Sequence, residues 1–337
     1  MGKRYLRSIV SDFQTLTASA DITPVDLPVN PLSHLILTIQ GTQVAETSAD
    51  EYGYLSDFVD GISEVSIRHR GENIIQGQLA DIVMLNAALH KYHPTIIKPD
   101  VTTGRIRTAS FIIAFGRKPY WPKEAFPATQ RGNLRFHMTS AALPASFSAR
   151  SWTLEAVELI EDTPDHFLKY TTSQRALTAT GRQRMPLPIG NDIMGILLFD
   201  PTTTAQNPSD FAFQKVKIMR DNVEQYFAES NWESLVESWG RRGLIPHAIG
   251  GHAHGTIPTV VDTLTTTTLP TTEERFDRNQ LPNRYAYLDF DPLTDGYYAL
   301  DTRGAATLDI DLNSDVSTGT VRILPVELLA VPGGAAA

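Results

Sequence analysis

The stretch LPVNPLSHLILTIQGT, residues 27–42, decides the fold because its pattern returns as LPIGNDIMGILLF at residues 187–199. In each stretch a Leu-Pro pair leads into an apolar run, and proline fixes φ just before the ladder of the strand begins. Each run has the alternation and apolar content of a strand that enters a core. Leu27 and Leu187 lie 160 positions apart, which is about the length of one domain.

Further similarities between the two halves follow in the same order along the chain. The matching segments are EVSIRHR (64–70) with KVKIMRD (215–221), RTASFIIAF (107–115) with RYAYLDFD (284–291), LRFHM (134–138) with LDIDL (308–312), and SWTLEAVELI (151–160) with TGTVRILPVELL (318–329). After an early strand, each half also has a helical pattern, QLADIVMLNAALHKY and SNWESLVESWG. Because the order is kept, we infer a duplication that gives two β-sandwiches in tandem.

The domain boundaries follow from this repeat and from the turn-rich stretches between the patterns. We predict an all-β chain with a first domain over 26–175 and a second over 187–332. A polar, basic stretch over 176–186 is predicted to be the linker. Residues 1–25 are predicted to form a basic amphipathic arm, and residues 333–337 a flexible tail.

The net charge of −9 argues against a surface built to bind polyanions, since nucleic-acid affinity depends mainly on Lys and Arg. The local exception is the N-terminal arm, in which Lys3, Arg4 and Arg7 alternate with Tyr5 and Leu6. Such a basic, amphipathic segment indicates an arm that docks on a neighbouring subunit, with contact to a membrane or to nucleic acid as the alternative.

Several classes of function lose support from the sequence. The chain has no cysteine, which excludes disulfides, thiolate metal sites and cysteine nucleophiles and fits a reducing cytosol. It has no apolar run of 18 residues or more and no secretory signal pattern. Phosphate-binding glycine loops, the nucleophile elbow and the His-Glu-x-x-His motif are also missing.

The histidines cluster in the stretch HAIGGHAHG, residues 247–255. His252 and His254 would point to the same side of a strand and could bind one metal, with His247 as a third ligand. Cupin enzymes place a carboxylate a few residues after such a pair, whereas here the first acid is Asp262. We therefore predict a polar loop and no metal or cofactor, and keep a metal-dependent bicupin-type enzyme as the alternative.

Aromatic residues mark two further contact regions. In the run KPYWP, residues 118–122, aromatic side chains and prolines share a predicted loop that suits an intersubunit contact. A carbohydrate-binding tandem sandwich is a third hypothesis, in which Tyr120, Trp121 and the pair at 297–298 would stack on sugar. Trp232 and Trp239 lie on one face of the second predicted helix and are expected to be buried there.

Five features together carry a resemblance to a known family. They are the tandem pattern, the two Leu-Pro pairs, the NPLSHLILTIQGT segment, the helix in each half, and the Arg-Gly turns before LRFHM and LDIDL. In these features the chain resembles the double jelly-roll major capsid proteins. These proteins coat tailless icosahedral double-stranded DNA viruses, including bacteriophages, many of which have an internal membrane. The resemblance covers about residues 26–332. It implies two tandem eight-stranded jelly rolls, each with a short helix, behind a short N-terminal arm.

The function implied by this resemblance is structural and not enzymatic. Three copies would form a pseudo-hexagonal capsomer, and capsomers would tile an icosahedral shell in the virion after synthesis in the host cytoplasm. The expected partners are further copies of the chain, other capsid proteins such as a penton protein and, where the virus has one, an internal lipid membrane. Lys3, Arg4 and Arg7 would lie at the base of the shell, and residues 247–283 would form a loop at its top.

Overall fold

The computed structural model describes residues 4–44, 55–91, 104–201, 211–241 and 284–332. The chain forms two compact units, described here one at a time. Within these residues the first unit comprises 4–44, 55–91, 104–169 and 330–332, and the second comprises 170–201, 211–241 and 284–329. The chain is mostly β, as the sequence predicted, and its helices are short.

The first unit contains two sheets and two helices. Its elements are β1 (Arg4–Thr15), β2 (Val25–Asp26), β3 (Leu32–Gln43), α1 (Leu55–Asp60), β4 (Ile62–His69), β5 (Glu72–Gly77), α2 (Leu79–His90), β6 (Ile106–Ala114), β7 (Leu134–Ser140), β8 (Phe147–Ile160) and β9 (His166–Thr171). One sheet has the order β1-β8-β3-β6, and the other has the order β9-β5-β4-β7-β2. All the pairings within these two sheets for which a register is defined are antiparallel.

The second unit also contains two sheets. Its elements are β10 (Ser173–Ala176), β11 (Gly181–Pro186), β12 (Asp192–Phe199), β13 (Phe213–Arg220), β14 (Val223–Asn231), α3 (Trp232–Arg241), β15 (Tyr285–Asp289), β16 (Leu300–Asp301), β17 (Leu308–Ser314) and β18 (Thr320–Ala330). In one sheet β12 lies between β15 and β18, while β10 pairs with β18 and β16 with β12. The other sheet has the order β11-β17-β13-β14.

Strand pairing confirms the internal repeat. β3 lies between β6 and β8 in the first unit, as β12 lies between β15 and β18 in the second. β4 pairs with β5 and β7, and β13 pairs with β14 and β17. The leucine of each Leu-Pro pair also makes an equivalent backbone hydrogen bond. Leu27 N–H donates to Leu134 O, and Leu187 N–H donates to Leu308 O.

The side-chain alternation seen in the sequence places the cores. On β3, Leu35, Leu37 and Ile39 are fully buried, and the residues between them are half-buried. In the second unit, Ile196 and Leu198 of β12 belong to a core cluster that includes the strands opposite. This period of two is that of a strand with one face against the core.

The two helices that the sequence predicted are present, and they are buried differently. α2 is buried along nearly its whole length and packs against β4, β6 and α1. α3 packs against β13, β14 and β15, and its first residue, Trp232, is buried against Phe213 at a ring distance of 5.3 Å. The side chain of Trp239, predicted to share that face, lies outside the described residues.

Two segments differ from the sequence-based expectation. The stretch 176–186, expected to be a linker, contains β11, because Gln183 and Met185 alternate inward while the strand pairs with β17. Residues 4–15, expected to be an arm, form β1 and pair with β8 of the same chain. The boundaries of the arm, linker and tail otherwise stay predictions.

Candidate interaction surface

The strand β1 exposes apolar side chains. Tyr5 is 65% exposed and Ile9 is 62% exposed, and Leu6 and Phe13 are also exposed. Among the described residues β1 has a strand partner on one side only, which is β8. An apolar edge strand of this kind marks a contact site on a soluble protein.

Polar contacts along β1 fix the strand on β8. The guanidinium of Arg7 binds the carboxylate of Glu155, and this hydrogen bond raises the pKa of Arg7. Ser8 Oγ donates to Glu158 Oε1 at 2.9 Å, and the amide of Asn30 donates to the other oxygen of Glu158 at 2.7 Å. The exposed apolar side chains are therefore presented from a strand that is held in place.

The KPYWP loop meets β1. The rings of Tyr5 and Tyr120 lie 5.2 Å apart in an edge-to-face arrangement, and Tyr120 is itself exposed. The Tyr120 N–H donates to Ser33 Oγ at 2.7 Å, and its φ of 63° lies in the left-handed region. Two stretches that the sequence marked separately as contact regions thus form one surface, defined here as the β1 surface: Tyr5, Arg7, Ile9 and Tyr120, of which the three strand residues alternate along β1 and share one face.

A buried ion pair supports the loop from below. The side chains of Arg117 and Glu124 are almost fully buried, and the Arg117 Nε lies 2.9 Å from Glu124 Oε1. The Arg117 N–H also donates to Glu124 Oε2 at 3.0 Å. Just before Arg117, Gly116 has no room for a side chain, since an added Cβ would collide with the Glu124 carbonyl oxygen. The loop is therefore rigid at its base.

His34 packs against the ring of Tyr120 and is buried. Its ring is 5.0 Å from the Tyr120 ring, and its Nδ1 is 2.9 Å from Ser33 Oγ. Burial, with smaller effects from His90 and Arg7, lowers the pKa of His34 to about 4. Burial also lowers the pKa of His90, at the end of α2, to about 4. Both rings are neutral at neutral pH.

A second aromatic surface lies in the second unit. Tyr297 is 78% exposed, and its ring is 4.8 Å from that of Tyr298. The loop is held by Asp291, whose Oδ1 accepts from Gly296 N–H at 2.7 Å and whose carbonyl accepts from Thr294 N–H at 3.0 Å. These tyrosines lie in a different unit from Tyr120 and Trp121, with which the sequence grouped them as sugar-stacking residues.

Of the residues singled out from the sequence, Arg4 and Arg7 lie on β1 and are exposed. Lys3 and the three histidines of the metal hypothesis, His247, His252 and His254, lie outside the described residues. Within the described ranges no three His, Asp or Glu side chains are arranged to hold a metal. In those same ranges no helix is long and apolar enough to cross a bilayer.

Sequence reasoning missed the contacts that build the β1 surface. Arg117 and Glu124 are seven positions apart in a predicted loop, and no periodicity links them. The contact between Tyr5 and Tyr120 joins residues far apart in the chain. No sequence signal predicted β1, because the apolar residues of RYLRSIV come in adjacent pairs and lack the period of two of a strand.

Comparison with solved structures gives the fold a counterpart, although no protein-family model and no curated protein matches the chain. The major capsid protein P2 of bacteriophage PM2 matches with a TM-score of 0.59 at 11% identity, covering 98% of this chain and 100% of that chain. The major capsid protein of STIV, the Sulfolobus Turreted Icosahedral Virus, matches with a TM-score of 0.64 at 12% identity and 97% coverage of both chains.

The Faustovirus major capsid protein matches with a TM-score of 0.51 at 9% identity, covering 98% of this chain and 90% of that chain. The matched proteins are major capsid proteins of tailless icosahedral double-stranded DNA viruses. The chain therefore has the double jelly-roll fold of these proteins, as its sequence predicted.

Proposed function

We propose that this chain is a viral major capsid protein, whose copies form trimeric, pseudo-hexagonal capsomers that tile an icosahedral shell. The observation that carries the proposal is the fold match, which spans 97% of both this chain and the STIV protein. A likeness that extends over both jelly rolls fits a protein used as a whole building block. The repeated strand pairing in the two units supports the same role, because two similar units in each of three copies give a body with approximate six-fold symmetry.

The β1 surface is proposed as a contact between copies of the chain. Interface cores are rich in tyrosine and aliphatic side chains, and Tyr5, Ile9 and Tyr120 are of this kind and exposed. The Arg7 side chain is exposed at the same place, while the chain as a whole has a net charge of −9. Because Glu155 already pairs with Arg7, the apolar side chains of the β1 surface carry this proposed contact.

Other partners follow from the capsid role and belong to this proposal. Capsomers would contact one another and other capsid proteins such as a penton protein, and Lys3, Arg4 and Arg7 would face anionic lipid in a virus with an internal membrane. The chain would act in the virion capsid without catalysis or cofactor, after synthesis in the host cytoplasm. The division into jelly rolls over 26–175 and 187–332 is part of the proposal.

Electron microscopy of the purified chain tests the function. We expect particles with a hexagonal outline, and larger arrays as the protein concentration rises. A double variant, Tyr5→Asp with Ile9→Asp, is expected to reduce assembly because it places charge on the proposed interface.

The matched control is Val223→Asp, which alters an apolar side chain that is 60% exposed in the second unit. This variant is expected to assemble like the unmodified chain. Compact monomers at every concentration would contradict the function, and equal assembly of all three proteins would contradict the role of the β1 surface.

A further inference from the structure

The loop that carries Tyr120 is held by one set of contacts at its base and another at its tip. At the base, the buried side chains of Arg117 and Glu124 form an ion pair. At the tip, the Tyr120 N–H donates to Ser33 Oγ at 2.7 Å, and the Tyr120 ring packs on that of His34. The φ of Tyr120, 63°, lies in a region that residues other than glycine rarely adopt, so these contacts hold the tip in place.

The hydroxyl of Ser33 links the tip of the loop to the protonation state of His34. Both residues are buried, with exposed fractions of 2% and 1%. Because the Ser33 oxygen accepts from the Tyr120 N–H, its own proton is available to His34 Nδ1, which lies 2.9 Å away. A neutral imidazole accepts that proton, whereas an imidazolium donates from both ring nitrogens. Protonation of His34 would therefore leave the Ser33 proton without an acceptor at a buried position, which is costly.

The groups that surround His34 disfavour a charge on its ring. Its strand neighbours on β6 and β8 are Ala114 and Val157, which carry no charge. Arg7 of β1 is a cation, and His90 of α2 becomes one in acid. Both lower the pKa of His34, in addition to the larger effect of burial.

The charged side chains of the adjoining elements are engaged in other contacts. These contacts join Glu155 to Arg7, Glu124 to Arg117, Glu158 to Ser8 and Asn30, and Lys118 to the ring of Trp121. A proton gained by His34 therefore adds a charge that these groups do not compensate while the tip is closed. Water solvates that charge once the tip opens.

We propose that the tip of this loop is an acid-sensitive switch, in which protonation of His34 releases Tyr120 from Ser33 and from Tyr5 while the ion pair holds the base. Because Tyr120 belongs to the β1 surface, opening of the tip also weakens the contact between copies in acid. This second consequence rests on the proposed function, and the switch itself does not.

The size of the effect follows from the pKa of His34, which is about 4 in the closed loop and returns towards 6.5 when the ring meets water. The closed tip is therefore fully stabilised above pH 6.5 and loses stability as the pH falls towards 4. From these two values, opening should be about 20-fold more frequent at pH 5 than at pH 7.

Hydrogen exchange of the full chain at pH 7 and pH 5, resolved to single amides by mass spectrometry, tests the switch. Each rate is divided by the intrinsic chemical rate at that pH. We expect protection of the Tyr120 amide to fall about 20-fold at pH 5 and to stay below that of the central strand β3 at both pH values. Unchanged protection at Tyr120 would overturn the proposal. Equal exchange at Tyr120 and in β3 would also overturn it, because the unit would then open as a whole.

Variants assign the effect to His34. His34→Gln keeps a side chain that can bind Ser33 and does not titrate, so protection at Tyr120 should hardly change between the two pH values. The matched control is His137→Gln, which replaces a half-buried histidine of β7 on the other sheet and should keep the 20-fold change. A change of that size in His34→Gln would contradict the proposal.

Thermal melting shows whether each variant is folded under these conditions. If His34→Gln is not, Ser33→Ala decides the question, since it removes the acceptor of the Tyr120 N–H and should leave this amide poorly protected at both pH values. A well-protected Tyr120 amide in that variant would overturn the proposal.

Light scattering at the same two pH values tests the consequence for assembly. We expect assemblies of the unmodified chain to dissociate at pH 5 and to form again at pH 7, while those of His34→Gln persist. Assemblies that persist at pH 5 although the Tyr120 amide has lost protection would contradict the role of the switch in assembly. Failure to assemble at pH 7 would contradict the proposed function alone, because the exchange result still decides the switch.

Discussion

The two jelly rolls share their strand pairing and differ at their first strands. β1 pairs with β8 over 12 residues and exposes apolar side chains, whereas its counterpart β10 pairs with β18 over four residues, all exposed, none of them a large apolar residue. The central strands β3 and β12 have the same neighbours in both units. The comparison indicates that central strands preserve the fold after duplication, while edge strands and loops are free to acquire separate roles.

The loops differ in the same way. Between β6 and β7, the first unit has a loop supported by the buried pair of Arg117 and Glu124 and topped by Tyr120. Between β15 and β17, the second unit has the exposed pair Tyr297 and Tyr298, held by backbone hydrogen bonds to Asp291. Each unit thus holds its exposed tyrosine by different local contacts.

The largest loss of stability is expected when the buried ion pair of Arg117 and Glu124 is broken. Glu124→Gln leaves the Arg117 charge buried without its partner, and we expect a loss of about 3–5 kcal/mol in the free energy of unfolding. The same substitution in an exposed pair, Glu229→Gln beside Lys215, should cost much less, because water solvates both charges. Urea denaturation measures both. Equal losses would show that the pair does not stabilise the loop of the first unit.

Acid should weaken the first unit through its buried histidines. Because burial lowers the pKa of His34 from 6.5 to about 4, the folded chain binds this proton more weakly than the unfolded chain. The stabilisation is complete above pH 6.5 and is lost as the pH falls towards 4, by about 1.4 kcal/mol per pH unit. His90 acts in the same direction.

Melting temperatures between pH 7 and pH 4.5 measure this effect, and His34→Gln should show a flatter pH dependence than the unmodified chain. Identical pH profiles for the two proteins would contradict the assigned burial of His34.

A smaller loss of stability is expected from a substitution in α2, which is buried along nearly its whole length. The Asn86 amide of α2 donates to Ile82 O at 2.8 Å and accepts from Ala114 N–H of β6 at 3.0 Å. Asn86→Ala should cost about 1–3 kcal/mol because it leaves a buried N–H without a partner. Ser234→Ala in α3, where the hydroxyl is exposed and bonds Asn231 O, should change stability by less than about 0.5 kcal/mol. Denaturation curves that show similar losses would remove this distinction between the helices.

The smallest effect on stability is expected at the β1 surface. Tyr5→Asp with Ile9→Asp changes side chains that are already exposed, so the free energy of unfolding should change by no more than about 0.5 kcal/mol per site. Calorimetry of the variant checks this. A large loss of stability would mean that these side chains serve the fold of the first unit and not a contact with another copy.

The sequence predicted those parts of the fold that are determined by short residue patterns repeated in both halves. Proline before a strand and strict alternation, as at Leu35, Leu37 and Ile39, predicted the central strands and the duplication. The linker expected over 176–186 was a polar stretch with one glycine and two arginines, yet Met185 is buried there. A short strand with charged outward residues resembles a loop in sequence, and only its partner β17 makes it a strand.

The candidate surfaces could be predicted only in part. Basic and apolar alternation pointed to residues 4–7, and the KPYWP run pointed to Tyr120, but their contact depends on how β3 and β8 bring distant segments together. A groove lined by Asp21 and Trp152 was not predictable either, because only the crossing of the chain from one sheet to the other brings these two residues together. No periodicity in one strand records such a crossing.

Light scattering coupled to size exclusion measures the solution mass of the purified chain and tests the capsid role most directly. We expect three times 37.2 kDa, or assemblies built from that unit. A stable species of one or two chains across the accessible concentration range would contradict the account.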